Sequence, residues 1–149
     1  EAIQFTMSHD DGKKNEDIQM ADIILLGVSR TSKTPTSIYL ANRGYKTLNI
    51  PLVLDQKIPN TLEIQNKNLC VIGLFADPER LSEIRKTRAN TNQSIDLKTY
   101  TDVEQIKIEV ENSKKMFTKF SWPSIDVTRR SVEETAASII KIFEIKKNK

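Results

Sequence analysis

A run of eight residues has the composition and order of a loop that binds phosphate. The run consists of Gly27, Val28, Ser29, Arg30, Thr31, Ser32, Lys33 and Thr34. Its glycine permits a tight turn, after which successive backbone N–H groups converge on an anion. The ammonium group of Lys33 would reach the terminal phosphates, and the hydroxyl group of Thr34 would be available to a magnesium ion. The pattern therefore predicts a site for the phosphates of a nucleotide.

The run departs from the usual pattern at Ser32, where such loops carry a second glycine. If the backbone there needs a positive φ, a residue with a Cβ costs about 1 kcal/mol, which a folded domain tolerates. In a chain of this composition, the pattern of Gly, four free positions, Gly or Ser, Lys, and then Ser or Thr is expected by chance only about 0.01 times. The alternative interpretation of the run is a solvated polar turn.

The flanking residues supply the strand and the helix that such a loop requires. The apolar run from Ala21 to Val28 is typical of a central strand in a parallel sheet with both faces covered. Pro35 suits the first turn of a helix and Gly44 suits the position just past its end, which predicts a helix over residues 35–43. The loop would thus lie where a buried strand gives way to a helix.

The rest of the chain continues this alternation of strands and helices. Strands are predicted at residues 47–50, 69–76 and 124–128, and helices at 78–89, 101–120 and from 131 onward. The signals at the helix starts are Asp77 before Pro78, Thr101 with Glu104, and Ser131 with Glu134. Crossovers of this length predict an α/β fold like that of P-loop NTPases, with a mostly parallel sheet of about four strands flanked by helices. Ligands bind at the carboxyl ends of strands in such folds.

Length and composition limit the classes of function. The 149 residues suffice for one domain, and the net charge of +3 comes from 23 basic and 20 acidic residues mixed along the chain, which argues against a nucleic-acid partner. No apolar run reaches the length of a membrane span, and the single cysteine, Cys70, has no partner for an intrachain disulfide. We therefore expect a cytoplasmic protein in which Cys70 fills the core.

The chain begins at Glu1 rather than at a methionine. We therefore expect it to be part of a longer polypeptide. Within it, residues 1–149 would form a single nucleotide-binding domain, with residues 1–20 as an entry segment. The sequence does not fix the oligomeric state.

Charged residues near the predicted strand ends are further candidates for the site. Asp77 ends an apolar strand, where an acidic residue helps to hold magnesium in many phosphate-loop proteins, but a role as helix N-cap explains it equally well. Arg129 and Arg130 follow the last strand, where loops border a ligand crevice, and are candidates to contact phosphate or a partner. The helix after Asp77 carries three arginines that are expected to be solvated unless one faces the nucleotide: Arg80, Arg85 and Arg88.

Two acidic residues beside the only histidine are candidates for a catalytic base. Asp10 and Asp11 follow His9 and precede a glycine. A kinase needs a carboxylate that accepts the proton of the substrate hydroxyl group. Two acidic residues before a glycine more often simply make a turn. Near the end of the chain, Trp122 before Pro123 indicates a packed corner, with an exposed anchor for a protein partner as the alternative.

Four separated blocks resemble, in the same order, the pyruvate, phosphate dikinase regulatory proteins and their relatives that regulate phosphoenolpyruvate synthase. The blocks are residues 9–12 (HDDG), 27–35 (GVSRTSKTP), 77–81 (DPERL) and 122–128 (WPSIDVT). The resemblance runs from the first residues to about Ala136. It covers only the carboxyl-terminal part of the family's chains.

The resemblance implies a bifunctional serine/threonine kinase and phosphorylase. Such an enzyme uses ADP to phosphorylate an active-site threonine of its target, and uses inorganic phosphate to remove that group, releasing pyrophosphate. Its nucleotide-binding segment maps onto residues 27–34, which include Lys33. The HDDG block then implies Asp10 or Asp11 as the base.

Two other functions fit the same residues. A small-molecule kinase of the nucleotide or shikimate type has the same order of strand, loop and helix. A module that binds nucleotide without transferring a phosphoryl group needs the loop alone. The three functions differ in where the β-phosphate of ADP goes: onto a protein, onto a small acceptor, or nowhere.

Overall fold

Four parallel strands form a single sheet in the computed structural model, which describes residues 2–8, 20–52, 70–89 and 101–147. The strands are β1 (Ile23–Gly27), β2 (Thr47–Pro51), β3 (Cys70–Phe75) and β4 (Ser124–Asp126), in the spatial order β2-β1-β3-β4. Each strand pairs in parallel with its neighbours. The predicted α/β fold is therefore confirmed, although β4 ends two residues earlier than the pattern indicates.

Five helices of the described residues flank this sheet. They are α1 (Ala2–Ser8), α2 (Lys33–Asn42), α3 (Pro78–Ala89), α4 (Val103–Lys119) and α5 (Val132–Lys147). Within the part of the chain that the structure describes, none of them has both the length and the apolar character that crossing a bilayer requires.

The central strand β1 is buried on both faces, because its alternate side chains enter two separate cores. Ile24 and Leu26 pack with residues of β2 and β3 and with Phe117 of α4. Ile23 and Leu25 pack on the opposite face with residues of α2 and α5. This double burial explains why the strand is a continuous apolar run, and it fixes the point from which the following loop starts.

The helix that follows β1 begins earlier than its proline suggests. α2 starts at Lys33, two residues before the predicted start, and Pro35 still lies in its first turn, where a missing N–H is harmless. Gly44 lies just past the helix end, as predicted, with a φ of +93°. Its N–H donates to the carbonyl of Ala41 at 2.9 Å, which satisfies one of the last free carbonyls of the helix.

Side-chain caps begin α3 and α5 as the sequence predicts. The carboxylate of Asp77 accepts the N–H of Arg80 at 3.1 Å. At α5, the N–H of Ser131 donates to the Glu134 carboxylate and the N–H of Glu134 donates to the Ser131 hydroxyl group, both at 3.1 Å. These two bonds complete a capping box. Because Ser131 donates to the Glu134 carboxylate, the pKa of that carboxyl group lies below its usual value.

The predicted cap of α4 is wrong by one residue. Asp102, not Thr101, accepts the N–H of Glu104, at 3.1 Å. Aspartate is at least as good an N-cap as threonine. The carbonyl of Thr101 instead accepts the hydroxyl group of Ser82 at 2.6 Å, which ties the start of α4 to α3.

The short helix α1 has no clear signal in the sequence. It packs on α2 and β2, with Ala2 and Thr6 buried. The hydroxyl group of Thr6 accepts the N–H of Thr47 at 3.1 Å, which satisfies a donor at the start of β2. The predicted turn before Gly12, with His9 and the candidate bases, lies outside the described residues.

The corner between α4 and β4 is packed, which confirms that interpretation of the Trp122 segment. Trp122 is partly buried and stacks on Phe120 with the ring centroids 4.8 Å apart. Its N–H donates to the carbonyl of Phe117, and the carbonyl of Pro123 accepts the N–H of Gly73, both at 2.9 Å. The corner thereby joins α4 to the sheet.

Cys70 lies in the core at the start of β3, as predicted, and we expect its thiol to resist modification. Its side chain is 3% exposed. Burial raises the pKa of the Cys70 thiol from 9.0 to about 11, so the reactive thiolate is about 100-fold scarcer below pH 9 than in an exposed thiol. A colorimetric thiol reagent at pH 8 should therefore react at least about 100-fold more slowly with the folded protein than with protein in concentrated guanidinium. Equal rates in the two states would contradict this placement.

Candidate functional site

Residues 27–34, named here the glycine loop, leave the carboxyl end of β1 and enter α2. Strands β2 and β3 lie on opposite sides of β1, so the strand order reverses next to this loop. Open α/β sheets bind ligands at the carboxyl ends of their strands at such a reversal. The loop is therefore in the position where a ligand of this fold is expected.

Position 27 requires glycine because Thr31 and β3 leave no space for a side chain. A Cβ at this position would lie 2.7 Å from the hydroxyl oxygen of Thr31 and 2.8 Å from the carbonyl oxygen of Leu74 on β3. The φ of Gly27 is not positive, so the reason for glycine is space rather than backbone conformation. The loop can fold back tightly against β3 only because this residue has no side chain.

Two residues of the loop adopt the left-handed backbone conformation. Arg30 has a φ of 71° and Ser32 a φ of 63°, whereas the φ of Thr31 between them is not positive. An alternation in the sign of φ is a feature of nests, in which successive N–H groups turn towards one point and form a concave site for an anion. The positive φ considered for Ser32 is therefore present, at a cost of about 1 kcal/mol for a residue other than glycine.

The ammonium group of Lys33 is folded back over the loop. The side chain is only 5% exposed, and its Nζ donates to the carbonyl of Val28 at 2.9 Å. The hydroxyl group of Thr31 donates to the same carbonyl at 2.9 Å and lies 3.5 Å from Nζ. The positive charge is thus held at the loop rather than extended into solvent.

A cleft of about 430 Å³ opens beside the loop and is named here the loop cleft. Its lining consists of Ser29, Arg30, Ser32, Lys33, Thr34, Pro35, Pro51 and Ile84. The lining therefore contains two cationic side chains and, among the described residues, no carboxylate. Together with the backbone pattern of the loop, this charge favours an anionic group of the size of a diphosphate.

A buried arginine reaches the loop from α3. Arg85 is 1% exposed, and its guanidinium donates to both carboxylate oxygens of Glu109 on α4 at 3.1 and 3.0 Å. The same guanidinium donates to the carbonyl of Ser29 at 3.2 Å. The expectation that the arginines of this helix are solvated is therefore wrong for Arg85. It holds for Arg80, whose side chain is 56% exposed in a pair with Glu83.

A second and larger cleft, of about 1080 Å³, lies at the carboxyl ends of β3 and β4 and is named here the β4 cleft. It is lined by Asp77, Glu79, Arg80, Glu83, Asp126, Thr128, Arg129, Arg130 and Glu134. The N–H of Asp77 donates to the hydroxyl oxygen of Thr128 at 2.8 Å, and that hydroxyl group donates to the carboxylate of Asp126. This chain of hydrogen bonds fixes the ends of the two strands against each other.

The predicted site residues are divided between these two clefts. Thr34 lines the loop cleft, whereas Asp77 lines the β4 cleft and caps α3. Arg129 and Arg130 also line the β4 cleft. Arg130 donates to the hydroxyl group of Ser138 at 2.9 Å, and Arg129 is exposed and forms no ion pair with a described residue. The candidate bases at positions 10 and 11 lie outside the described residues.

Sequence reasoning missed the pairing of Arg85 with Glu109, although a signal was present. Arg85 follows the buried Leu81 by four positions and Ser82 by three, so all three lie on one face of α3. Helical spacing therefore indicates that Arg85 faces inward, and a buried guanidinium requires a carboxylate partner. The identity of that partner depends on how α4 packs on α3, which the sequence does not specify.

A family model described as kinase/pyrophosphorylase matches residues 1–140 of the chain. The protein of Pelagibacter ubique that is provisionally named a pyruvate, phosphate dikinase regulatory protein is 63% identical over 148 residues, which are 99% of this chain and 54% of that protein. A protein of Bartonella henselae with the same name is 52% identical over 143 residues, which are 96% of this chain and 52% of that protein.

A third protein with this name, from Sphingopyxis alaskensis, is 51% identical over 144 residues, covering 97% of this chain and 53% of that protein. The chain thus spans about half the length of the relatives that it matches. The similarity extends through both clefts, since the matched residues include the glycine loop and the residues that line the β4 cleft.

Proposed function

The chain belongs to the kinase/pyrophosphorylase family, and we propose that it forms the nucleotide-binding kinase domain of a cytoplasmic regulator of pyruvate, phosphate dikinase or phosphoenolpyruvate synthase. In this proposal the protein phosphorylates a threonine of its target with ADP and removes the phosphate with inorganic phosphate. The observation that carries the proposal is the glycine loop, with its two left-handed residues and the Lys33 ammonium group folded over it.

The loop cleft receives the diphosphate of ADP. The backbone N–H groups of the glycine loop hold the β-phosphate, and Lys33 exchanges its bond to the Val28 carbonyl for a phosphate oxygen. With ADP, the group next to the ammonium is the one that is transferred. Lys33 then neutralises the charge that develops on that group during transfer.

In the forward reaction the hydroxyl oxygen of the target threonine attacks the β-phosphorus of ADP. The bond from that phosphorus to the oxygen bridging the two phosphates breaks, and AMP leaves. The proton of the threonine goes to a carboxylate, for which Asp10 and Asp11 are the candidates. Phosphothreonine is the other product.

In the reverse reaction the glycine loop holds inorganic phosphate. An oxygen of this phosphate attacks the phosphorus of phosphothreonine, the bond from phosphorus to the threonine oxygen breaks, and pyrophosphate is released. The threonine oxygen takes back a proton from the group that served as base. The same concave backbone site suits both steps, because each involves an anionic phosphate at one position.

The β4 cleft is the candidate site for the acceptor segment of the target protein. It borders the same edge of the sheet as the loop cleft, and its volume of about 1080 Å³ suits a peptide segment better than a single phosphate group. The exposed guanidinium of Arg129 and the neighbouring Arg130 would contact the phosphothreonine or the target protein.

The chain offers Thr34 as a ligand for Mg²⁺. This residue is partly exposed in the loop cleft, where its hydroxyl group would share the ion with phosphate oxygens. Asp77 lines the other cleft and one of its oxygens caps α3, so it fits this ion less well. Bound Mg²⁺ would neutralise charge on the phosphates.

Transfer from ADP labelled on its β-phosphate tests the proposal. The full-length polypeptide that carries this chain is incubated with the labelled ADP and either intact dikinase or a panel of small acceptors. We expect label on a threonine of the dikinase and none on the small acceptors. Adding inorganic phosphate to the labelled dikinase should then release labelled pyrophosphate.

The alternatives give different results in the same assay. Label on a small acceptor and never on the dikinase would overturn the proposal in favour of a small-molecule kinase. Tight binding of ADP without transfer to any acceptor would indicate a nucleotide-binding module. Label on phosphoenolpyruvate synthase alone would identify the target and leave the proposed chemistry intact.

A further inference from the structure

The guanidinium group of Arg85 joins three elements at one buried point. It lies on α3, forms a two-bond pair with Glu109 of α4, and donates to the carbonyl of Ser29 in the glycine loop. Arg85 is 1% exposed and the side chain of Glu109 is 18% exposed. Two-bond pairs of this kind fix the guanidinium plane as well as its position, so the donor that reaches Ser29 has a defined direction.

The direction of the Ser29 carbonyl determines the direction of the next N–H group. The described chain contains no cis peptide bond. In a trans peptide the carbonyl and the following N–H point in opposite directions. Because the Ser29 carbonyl points towards Arg85 on α3, the N–H of Arg30 points away from Arg85.

Arg30 also has a backbone conformation that needs support. Its φ of 71° is uncommon for a residue other than glycine, and such conformations persist only when the surrounding structure imposes them. The bond from Arg85 acts on the peptide immediately before Arg30. It is therefore placed to hold the loop in the conformation in which its N–H groups face an anion.

We propose that Arg85, oriented by Glu109, is a positioning residue that sets the glycine loop in its phosphate-binding conformation. This inference rests on the proposed use of the loop for ADP. Arg85 does not line the loop cleft, so its effect on the ligand passes through the backbone of Ser29 and Arg30. Loss of the pair should weaken binding of the nucleotide even where the fold is kept.

The test separates positioning from stability by replacing both partners. In Arg85→Met the carboxylate of Glu109 loses its partner, which destabilises the protein for a reason unrelated to the loop. In the double variant Arg85→Met with Glu109→Met, two apolar side chains of similar length keep α3 packed on α4 without a buried charge. We expect this double variant to unfold near the wild-type temperature but to bind ADP about tenfold more weakly or worse in equilibrium dialysis.

A second variant and a control complete the test. Arg85→Lys keeps a cation on the same face, but its single ammonium group cannot reproduce the fork that reaches both Glu109 and Ser29, so an intermediate loss of affinity is expected. Lys107→Met on α4 removes one partner of an exposed pair with Glu104, and Lys107 lines neither cleft, so this change should leave ADP binding unchanged. A double variant that is stable and binds ADP like the wild type would overturn the positioning role.

Hydrogen exchange gives a readout that does not depend on ADP. Backbone amides of residues 29–32 should exchange faster in the double variant than in the wild type, while those of β1 are unchanged. If the wild type fails to bind ADP, the proposed function fails, but faster exchange in the loop would still support the role of Arg85 in positioning. Unchanged exchange in a stable double variant would contradict that role.

Discussion

Replacing Lys33 by methionine should lower the rate of phosphoryl transfer from ADP by at least about 10²-fold to 10³-fold while leaving the fold intact. The ammonium group is held against the backbone of the glycine loop by its bond to the Val28 carbonyl, and Lys33 lines the loop cleft. Methionine preserves the buried stem of this 5% exposed side chain. The Val28 carbonyl keeps a donor in the variant, because the Thr31 hydroxyl group also bonds to it. Stability should therefore change by no more than about 1 kcal/mol.

Initial rates of label transfer from ADP, with thermal unfolding of the same preparations, check this expectation. Lys107→Met is the matched control, since it removes an exposed lysine of α4 and should alter neither measurement. A Lys33→Met protein that melts like the wild type and transfers label at the wild-type rate would refute the role of the loop. A variant that no longer folds would be replaced by Lys33→Arg, which keeps a cation but misplaces it in the same small space and should lose most of the activity.

Replacing Gly27 by alanine should both destabilise the protein and abolish binding of ADP. The new Cβ would lie 2.7 Å from the Thr31 hydroxyl oxygen and 2.8 Å from the Leu74 carbonyl oxygen. Because the second of these is backbone of a central strand, the loop itself must move away from β3. Overpacking of this kind costs about 1–3 kcal/mol. Denaturant unfolding and equilibrium dialysis with ADP measure the two effects.

A second glycine provides the control for this interpretation. A Cβ at Gly73 would meet the ring of Phe117 at 2.5 Å, so the obstacle there is a side chain. Phe117→Leu should relieve part of the destabilisation caused by Gly73→Ala, giving a double variant that is more stable than the two single effects combined would suggest. Thr31→Ala should not rescue Gly27→Ala in the same way, because the Leu74 carbonyl remains. Full rescue of Gly27→Ala by Thr31→Ala would show that the Thr31 side chain alone makes glycine necessary at position 27.

Most elements of the fold follow from local signals in the sequence. The apolar run of β1 and the capping pairs of α3 and α5 each involve only a few consecutive residues, so they can be predicted without the structure. Gly44 marks the end of α2 for the same reason, because a positive φ of +93° strongly favours glycine. The short helix α1 depends instead on packing against α2 and β2, which is contact between distant parts of the chain.

The candidate site was predictable where chemistry is local and not where it depends on tertiary packing. Residues 27–34 are contiguous, so their order alone indicates the loop and its lysine. The link from Arg85 to Ser29 joins residues 56 positions apart, and that from Arg85 to Glu109 joins residues 24 positions apart. Neither can be derived from spacing. The assignment of Asp77 was ambiguous for a related reason, since the same short pattern serves as a helix cap and as a metal ligand.

The helix α3 contributes residues to both the loop cleft and the β4 cleft. The β4 cleft is lined by Glu79, Arg80 and Glu83 of this helix, and the loop cleft is lined by Ile84. Arg85 of the same helix bonds to the backbone of the glycine loop, which lines the loop cleft. Because α3 borders both clefts, a shift of this helix towards one cleft changes the width of the other. If ADP and the acceptor segment bind as proposed, their affinities are therefore linked through the position of α3.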